Sequence, residues 1–343
     1  RGVEASRADA TMRAMFRSLR PYFITLVAIW LGLGIAANIF AHRFPTNSHW
    51  IMTGILPAFL FESIFFAGVG FEQTRELFAS LPARWIQSLL LTISGIVPFI
   101  IVTATGGTFD SHAFVILAAL CALMSFWWVL FPHRTAYDIG WLVIAAVPMV
   151  LKVFSRLYAS PIKLDVSILG HVMWIRIALM SLLVQRGFEL GPVSFWPKRS
   201  EWREGLLQFW AAIVPLSVVG MLIHFAGFAP KKYPPGLWIV MAVGQFFGIL
   251  WVVAFSVDQF RSVITRLFFR FKQPVFLAVT GSAVLIGCAH LWYKDFPNWR
   301  FALVAAIAHF FYTLAYVRGG SVRASMVTHA LTVTTWRMLF VSS

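Results

Sequence analysis

Eleven long apolar runs, separated by short polar connections, constrain this chain more than any motif in it. They cover roughly residues 22–41, 50–70, 86–104, 113–132, 139–155, 166–185, 206–228, 237–257, 275–293, 301–317 and 321–340. A helix needs only about 20 apolar residues to cross a bilayer, and in lipid each backbone N–H must find its carbonyl within the segment. The sequence therefore predicts an all-α fold, a polytopic transmembrane helix bundle of about 10–11 spans. Composition agrees. Charged residues make up 12% of the chain and hydrophobic ones 59%, whereas soluble domains carry about 25% charged residues.

The formal net charge of +15 would suggest nucleic acid in a soluble chain. Here Lys and Arg sit mostly in the connections, where the positive-inside bias and anionic headgroups account for them. The expected partner is the lipid bilayer, not nucleic acid. Residues 1–21 form a basic tail, read as cytoplasmic and interfacial. Summing charges over alternate connections places the N-terminus inside, although Lys231 and Lys232 pull the other way. The chain opens on Arg1, which points to residues upstream, and it shows no signal-peptide pattern. Cys121 and Cys288 both lie in apolar runs and read as small buried residues without a disulfide.

The longest internal polar stretch, 186–205, is the expected boundary between an N-terminal membrane bundle of about six spans, 22–205, and a second of about five spans, 206–343. No internal repeat relates the two. Glu62 and Arg176 lie inside apolar runs, where an ion must be paired or reach an interface; an interhelical pair or a snorkelling end is expected. Gly244 and Gly248 form a GxxxG, which predicts close packing on a neighbouring helix. Arg261, Arg266 and Arg270 are spaced to snorkel from an emerging helix end. FEQTRELFASLPAR, 71–84, reads as an interfacial helix stopped by Pro82.

Three segments in the last third carry a pattern. Phe260-Arg261 is followed by IGCAH, 286–290, and then by AYVRGGSVRASMVTHALTV, 315–333. Together, residues from about 234 to 339 resemble the CPBP family, the CAAX-prenyl-protease and bacteriocin-processing intramembrane proteases. That family's motifs run Glu-Glu-x-x-x-Arg, Phe-x-x-x-His and His-x-x-x-Asn or Asp, the last after a stretch resembling Tyr-x-Arg-x-Gly-Ser. The resemblance implies an intramembrane cavity in which His290 and His329 gather around a water, with or without a divalent metal such as zinc. It also implies a glutamate base, an asparagine that steadies the oxyanion, and a membrane-embedded or lipidated peptide substrate.

The chain departs from that pattern where the chemistry lies. Ser256 and Val257 stand in place of the two glutamates, and Val333, which has no hydrogen-bond donor, in place of the asparagine. Asp258 is one residue from the motif position, and a single step along a helix turns a side chain by about 100°, so it is expected to point away unless a π-bulge absorbs the offset. Thr332, three residues after His329, is the expected partial substitute for the asparagine. His309, Tyr312 and Tyr316 form a polar stripe, and His309 and Thr332 are expected in the same cavity. The reading that follows is a membrane protein that has lost the general base, binding another membrane protein or a lipidated peptide, or serving as a subunit of a membrane assembly. The alternative is an active CAAX-type metalloendopeptidase using His290, His329, Arg261 and Asp258.

Overall fold

The computed structural model describes residues 2–131, 134–161, 164–184, 196–292 and 296–342, with side chains from Leu19 onward except those of residues 135, 251, 252 and 254–256. The first half of the polar stretch at 186–205 lies outside the described residues. The chain is almost wholly helical and divides into two compact units, Arg1–Leu190 and Gly191–Ser343. Residues 199–205, expected with the N-terminal bundle, begin a helix of the second unit. Among the described residues, eight helices are long and apolar enough to cross a membrane. Two more expected spans fall on shorter apolar helices, Ala136–Val150 and Pro235–Gly248. The last, Val322–Leu339, is a helix with a more polar sequence.

The first unit contains α1 (Gly2–Arg43), α2 (Ser48–Trp50), α3 (Leu56–Val69), α4 (Glu72–Ala79), α5 (Arg84–Thr105), α6 (Ser111–Leu130), α7 (Thr135–Val150), α8 (Val153–Leu157) and α9 (Ser167–Val184). The basic tail and the first span form one helix, with Pro21 inside it. Arg, Ala, Met and Leu in the tail are strong helix formers, so nothing ends the helix at the membrane surface. A π turn, Ile51–Ile55, joins α2 to α3. The 71–84 segment gives the short α4, whose last carbonyls, those of Phe78 and Ala79, accept from Gln87 Nε2 at 3.1 and 3.2 Å.

The two ions predicted to need partners have each other. Arg176 Nε donates to Glu62 Oε1 at 2.9 Å and a terminal nitrogen to Oε2 at 2.7 Å, with both side chains essentially unexposed. The other terminal nitrogen donates to Ser94 Oγ at 2.7 Å, so the guanidinium ties α3, α5 and α9 together. The neighbouring Gly95 leaves no room for a side chain, because a Cβ there would stand 2.4 Å from Ile177 Cδ1 and 2.9 Å from Cys121 Sγ.

The second unit contains α10 (Arg199–Leu222), β1 (Ala226–Phe228), α11 (Pro235–Gly248), α12 (Phe255–Arg270), α13 (Val275–Ala289), α14 (Trp299–Gly319), α15 (Val322–Leu339) and β2 (Phe340–Ser342). A π segment, Ile249–Ala254, separates α11 from α12. The strands β1 and β2 pair antiparallel, Ala226 opposite Ser342 and Phe228 opposite Phe340, which ties the segment after α15 to the loop after α10. Glu201, in the first turn of α10, accepts from Arg323 of α15 at 2.6 Å and from the Lys198 backbone N–H at 2.5 Å. One turn on, Gly205 lets the helices touch. A Cβ there would meet Val327 Cβ at 2.6 Å, and the Gly205 carbonyl accepts from Thr328 Oγ1 at 3.0 Å. These contacts explain why residues 199–205 fold with the second unit.

Two packing expectations fail. Gly244 and Gly248 face open space, and a Cβ at either would touch nothing. The GxxxG lies on the outer side of α11, a helix without a buried residue. Cys288 is exposed and Cys121 buried, both as free thiols; Cys288 lies on the exposed face of α13 with Val284 and Leu285.

Candidate functional site

The polar core of the second unit is built from α12, α14 and α15. Arg261 has no exposed surface, which corrects the expectation that it snorkels with Arg266 and Arg270. Its guanidinium lies 2.7 Å from Asp258 Oδ1 and donates to His309 Nδ1 at 3.2 Å and to Ser325 Oγ. It also sits over the Tyr312 ring at 5.7 Å. Further along α12, Arg266 is half-buried and its Nε donates to the Tyr316 hydroxyl at 3.0 Å, while Arg270 is exposed. The stripe of His309, Tyr312 and Tyr316 on α14 thus meets the arginines of α12.

Asp258 is fully buried in this cluster, and the expectation that it points away is wrong. The π segment, which lies upstream, does not set its angle to Arg261. The reason is that Asp258 precedes Arg261 by three residues, and positions three and four apart share a helix face. Across the helix interface, Asp258 Oδ1 accepts from His329 Nδ1 at 3.2 Å. Its second oxygen and Arg261 Nε are buried with no hydrogen-bond partner among the described residues. Val257 is half-buried, and the Ser256 side chain lies outside the described residues.

His290, His309 and His329 line one cavity of about 300 Å³. The His309 ring neighbours both of the others, with centroids 5.9 Å from His290 and 5.7 Å from His329. Tyr312 stacks on His329 at 4.5 Å. Thr332, Val333 and Arg337 add to the lining, whose apolar part comes from Leu216, Phe225, Phe301, Val304, Ala305 and Ala308. Asp258 and Arg261 do not line the cavity; they reach it only through His329 and His309. Among the described residues, no acidic side chain stands in the lining. Thr332, expected as a substitute donor, gives its hydroxyl hydrogen to the Thr328 carbonyl at 2.8 Å, so it is not a free donor toward the cavity.

The partners of the three imidazoles set their tautomers. A guanidinium can only donate, so His309 Nδ1 must accept from Arg261, and the ring hydrogen sits on Nε2. His290 Nδ1 faces the Ile286 carbonyl at 2.8 Å and His329 Nδ1 faces the Asp258 carboxylate, and both of those only accept. These two rings therefore carry hydrogen on Nδ1 and present a bare Nε2 when neutral. Three histidines thus supply one donor and two acceptors.

A divalent metal, which the family resemblance implies, does not fit this array. His290 and His329 have the tautomer of metal ligands, each with Nδ1–H bonded to an oxygen. A catalytic zinc normally takes three protein ligands. The third ring is held in the opposite tautomer by a cation, and no three His, Cys, Asp or Glu side chains among the described residues are placed to hold a metal.

The fold and this buried histidine cluster define an α-helical integral membrane protein with a histidine-lined, largely apolar cavity in its C-terminal unit. Comparison with protein families agrees: residues 259–335 match the Rce1-like model, described as type II CAAX prenyl endopeptidase Rce1-like. The C-terminal region is therefore similar to the CAAX-protease branch of the CPBP family. The match takes in Arg261, His290, His309 and His329 and begins one residue after Asp258. No curated protein and no solved structure matches the chain significantly.

Two features of this site escaped the sequence reading. Asp258 was judged by its distance from a motif position, when its spacing to Arg261 carried the signal. His309, expected in the cavity from its polar stripe, does line it, but nothing in the spacing shows that Arg261 would hold its Nδ1.

Proposed function

We propose that the C-terminal unit is a binding module that has kept the cavity of an intramembrane protease without its hydrolytic chemistry, and that it receives an apolar partner presented from the bilayer. The observation that carries this reading is the engagement of Asp258. Among the described residues, the one carboxylate beside the imidazoles, Asp258, shares Oδ1 between Arg261 at 2.7 Å and His329 at 3.2 Å and stands outside the cavity lining, while the motif position next to it is Val257. Losing a general base typically removes 10²-fold to 10⁴-fold of rate. The partner is a membrane protein, a lipid or a lipidated peptide, and the N-terminus is cytoplasmic. The test is to purify the protein in its native lipids, identify what co-purifies by native mass spectrometry, and incubate it with prenylated and unmodified peptides. Retained partners without cleavage support the proposal, and cleavage abolished by His329→Ala refutes it.

The Asp258–His329 hydrogen bond favours a second reading. A carboxylate that orients an imidazole through Nδ1 leaves Nε2 able to take a proton from water. An endopeptidase built this way would use His329 as base and Asp258 as its orienter, and Asp258→Asn would then be as damaging as His329→Ala.

A further inference from the structure

We propose that the cavity takes the carboxylic acid head of a free long-chain fatty acid, with His309 as the fixed donor that recognises it. This rests on the reading that the cavity binds without hydrolysing and names its occupant. Arg261 confines the hydrogen of His309 to Nε2, so this ring offers a donor to the cavity whatever else changes around it. His329 and His290 offer bare Nε2 atoms. A carboxylic acid has both complements in one head: its carbonyl oxygen accepts from His309, and its O–H donates to His329 or His290, whichever side of that bond the proton rests on. Two oxygens also suit rings whose centroids are 5.7 and 5.9 Å apart. The surroundings favour an acid as well. Among the described residues the lining contains Arg337 and no acidic side chain, and its apolar part, including Phe225, Phe301 and Val304, is suited to an alkyl chain. A cavity of about 300 Å³ is at the lower end for small-molecule sites, a size that suits a single alkyl chain.

The experiment uses the full chain in nanodiscs stripped of free fatty acid, and measures saturable binding of radiolabelled palmitic acid with methyl palmitate, hexadecanol and an apolar peptide with a free C-terminus as competitors. Palmitic acid should bind in a single equivalent, and the ester and alcohol should compete about tenfold more weakly, as expected for losing a buried hydrogen bond of about 1.4 kcal/mol. His309→Phe should lower palmitic acid affinity by about the same factor. His309→Gln, which keeps an N–H donor, should retain most of it, with thermal midpoints measured for both to confirm that they fold. Nitrogen-15 shifts of labelled histidine should show one ring of the cluster protonated at Nε2 and two at Nδ1. Equal binding of ester and acid, or unchanged binding by His309→Phe, would overturn the proposal, and so would a peptide that outcompetes palmitic acid. Release of cleaved peptide or hydrolysed ester would instead overturn the non-catalytic reading on which it rests.

Discussion

Arg261 illustrates how much a single residue organises. Among the described residues it is the one Arg or Lys paired with Asp258, it sets the tautomer of His309, and it spans α12, α14 and α15 through Asp258, His309 and Ser325. Removing one member of a buried pair leaves the other charge stranded, at about 3–5 kcal/mol. Arg261→Met should therefore lower the thermal midpoint sharply. Arg261→Met combined with Asp258→Leu should recover part of the loss, because it removes both ions together. A double variant no more stable than the single one would mean that the pair is not what the arginine stabilises. The spacing of Arg261 with Arg266 and Arg270 suggested snorkelling because local pattern cannot reveal partners 48 and 64 residues away. Only Asp258, one turn off, was within reach of local argument, and it was misjudged by comparison with a motif. Glu62 and Arg176 were easier to anticipate, since an ion in hydrocarbon has few alternatives to a partner.

At the scale of the helix, two glycine sites give opposite expectations. Gly205 lies against Val327 with no room for a Cβ, while Gly244 faces open space. Gly205→Val should cost about 1–3 kcal/mol by overpacking, and Gly244→Val should be close to neutral in the thermal midpoint. A large loss at Gly244 and none at Gly205 would contradict the packing described. GxxxG records that close approach is sterically permitted, but it says nothing about which helix approaches; hence the expectation for α11 failed while the close contact occurred at a glycine outside any motif. The start of α15 was more readable. Gly320 adopts φ of 61°, and Ser321 caps the helix by accepting from the Arg323 N–H at 3.2 Å. Ser321→Ala should cost about 1 kcal/mol, measured by denaturant titration in detergent.

For the whole molecule, the all-helical membrane class follows directly from the apolar runs, because a bilayer leaves a backbone few choices. The extent of each span followed less well. The run 237–257 is helical throughout but is divided by the π segment between α11 and the start of α12, and the division between the units falls inside the polar stretch 186–205 that composition marks, whereas the Glu201–Arg323 pair, which ties the start of α10 to α15, is not legible in local composition. The native cysteines offer a direct check of packing. A lipid-soluble maleimide should label Cys288 in the folded protein and reach Cys121 only after denaturation. Labelling of Cys121 first would place the wrong face of α6 in the core. The N-terminal orientation can be tested with the same chemistry at a cysteine introduced at Ala5, using an impermeant reagent on intact and opened vesicles; reaction only after opening is the expected result.

The Glu62–Arg176 pair also has a consequence in time. Its members are 114 residues apart in the chain, so at translation rates of about 5–20 residues per second the glutamate waits roughly 6 to 23 s for its counter-ion to be made. Throughout that interval α3 carries a carboxyl group with no guanidinium to meet it. The nascent segment must stay protonated, remain near water, or shelter beside the insertion machinery until α9 emerges. Glu62→Gln should shorten that dependence, allowing α3 to enter the bilayer early even though the finished bundle would be weaker.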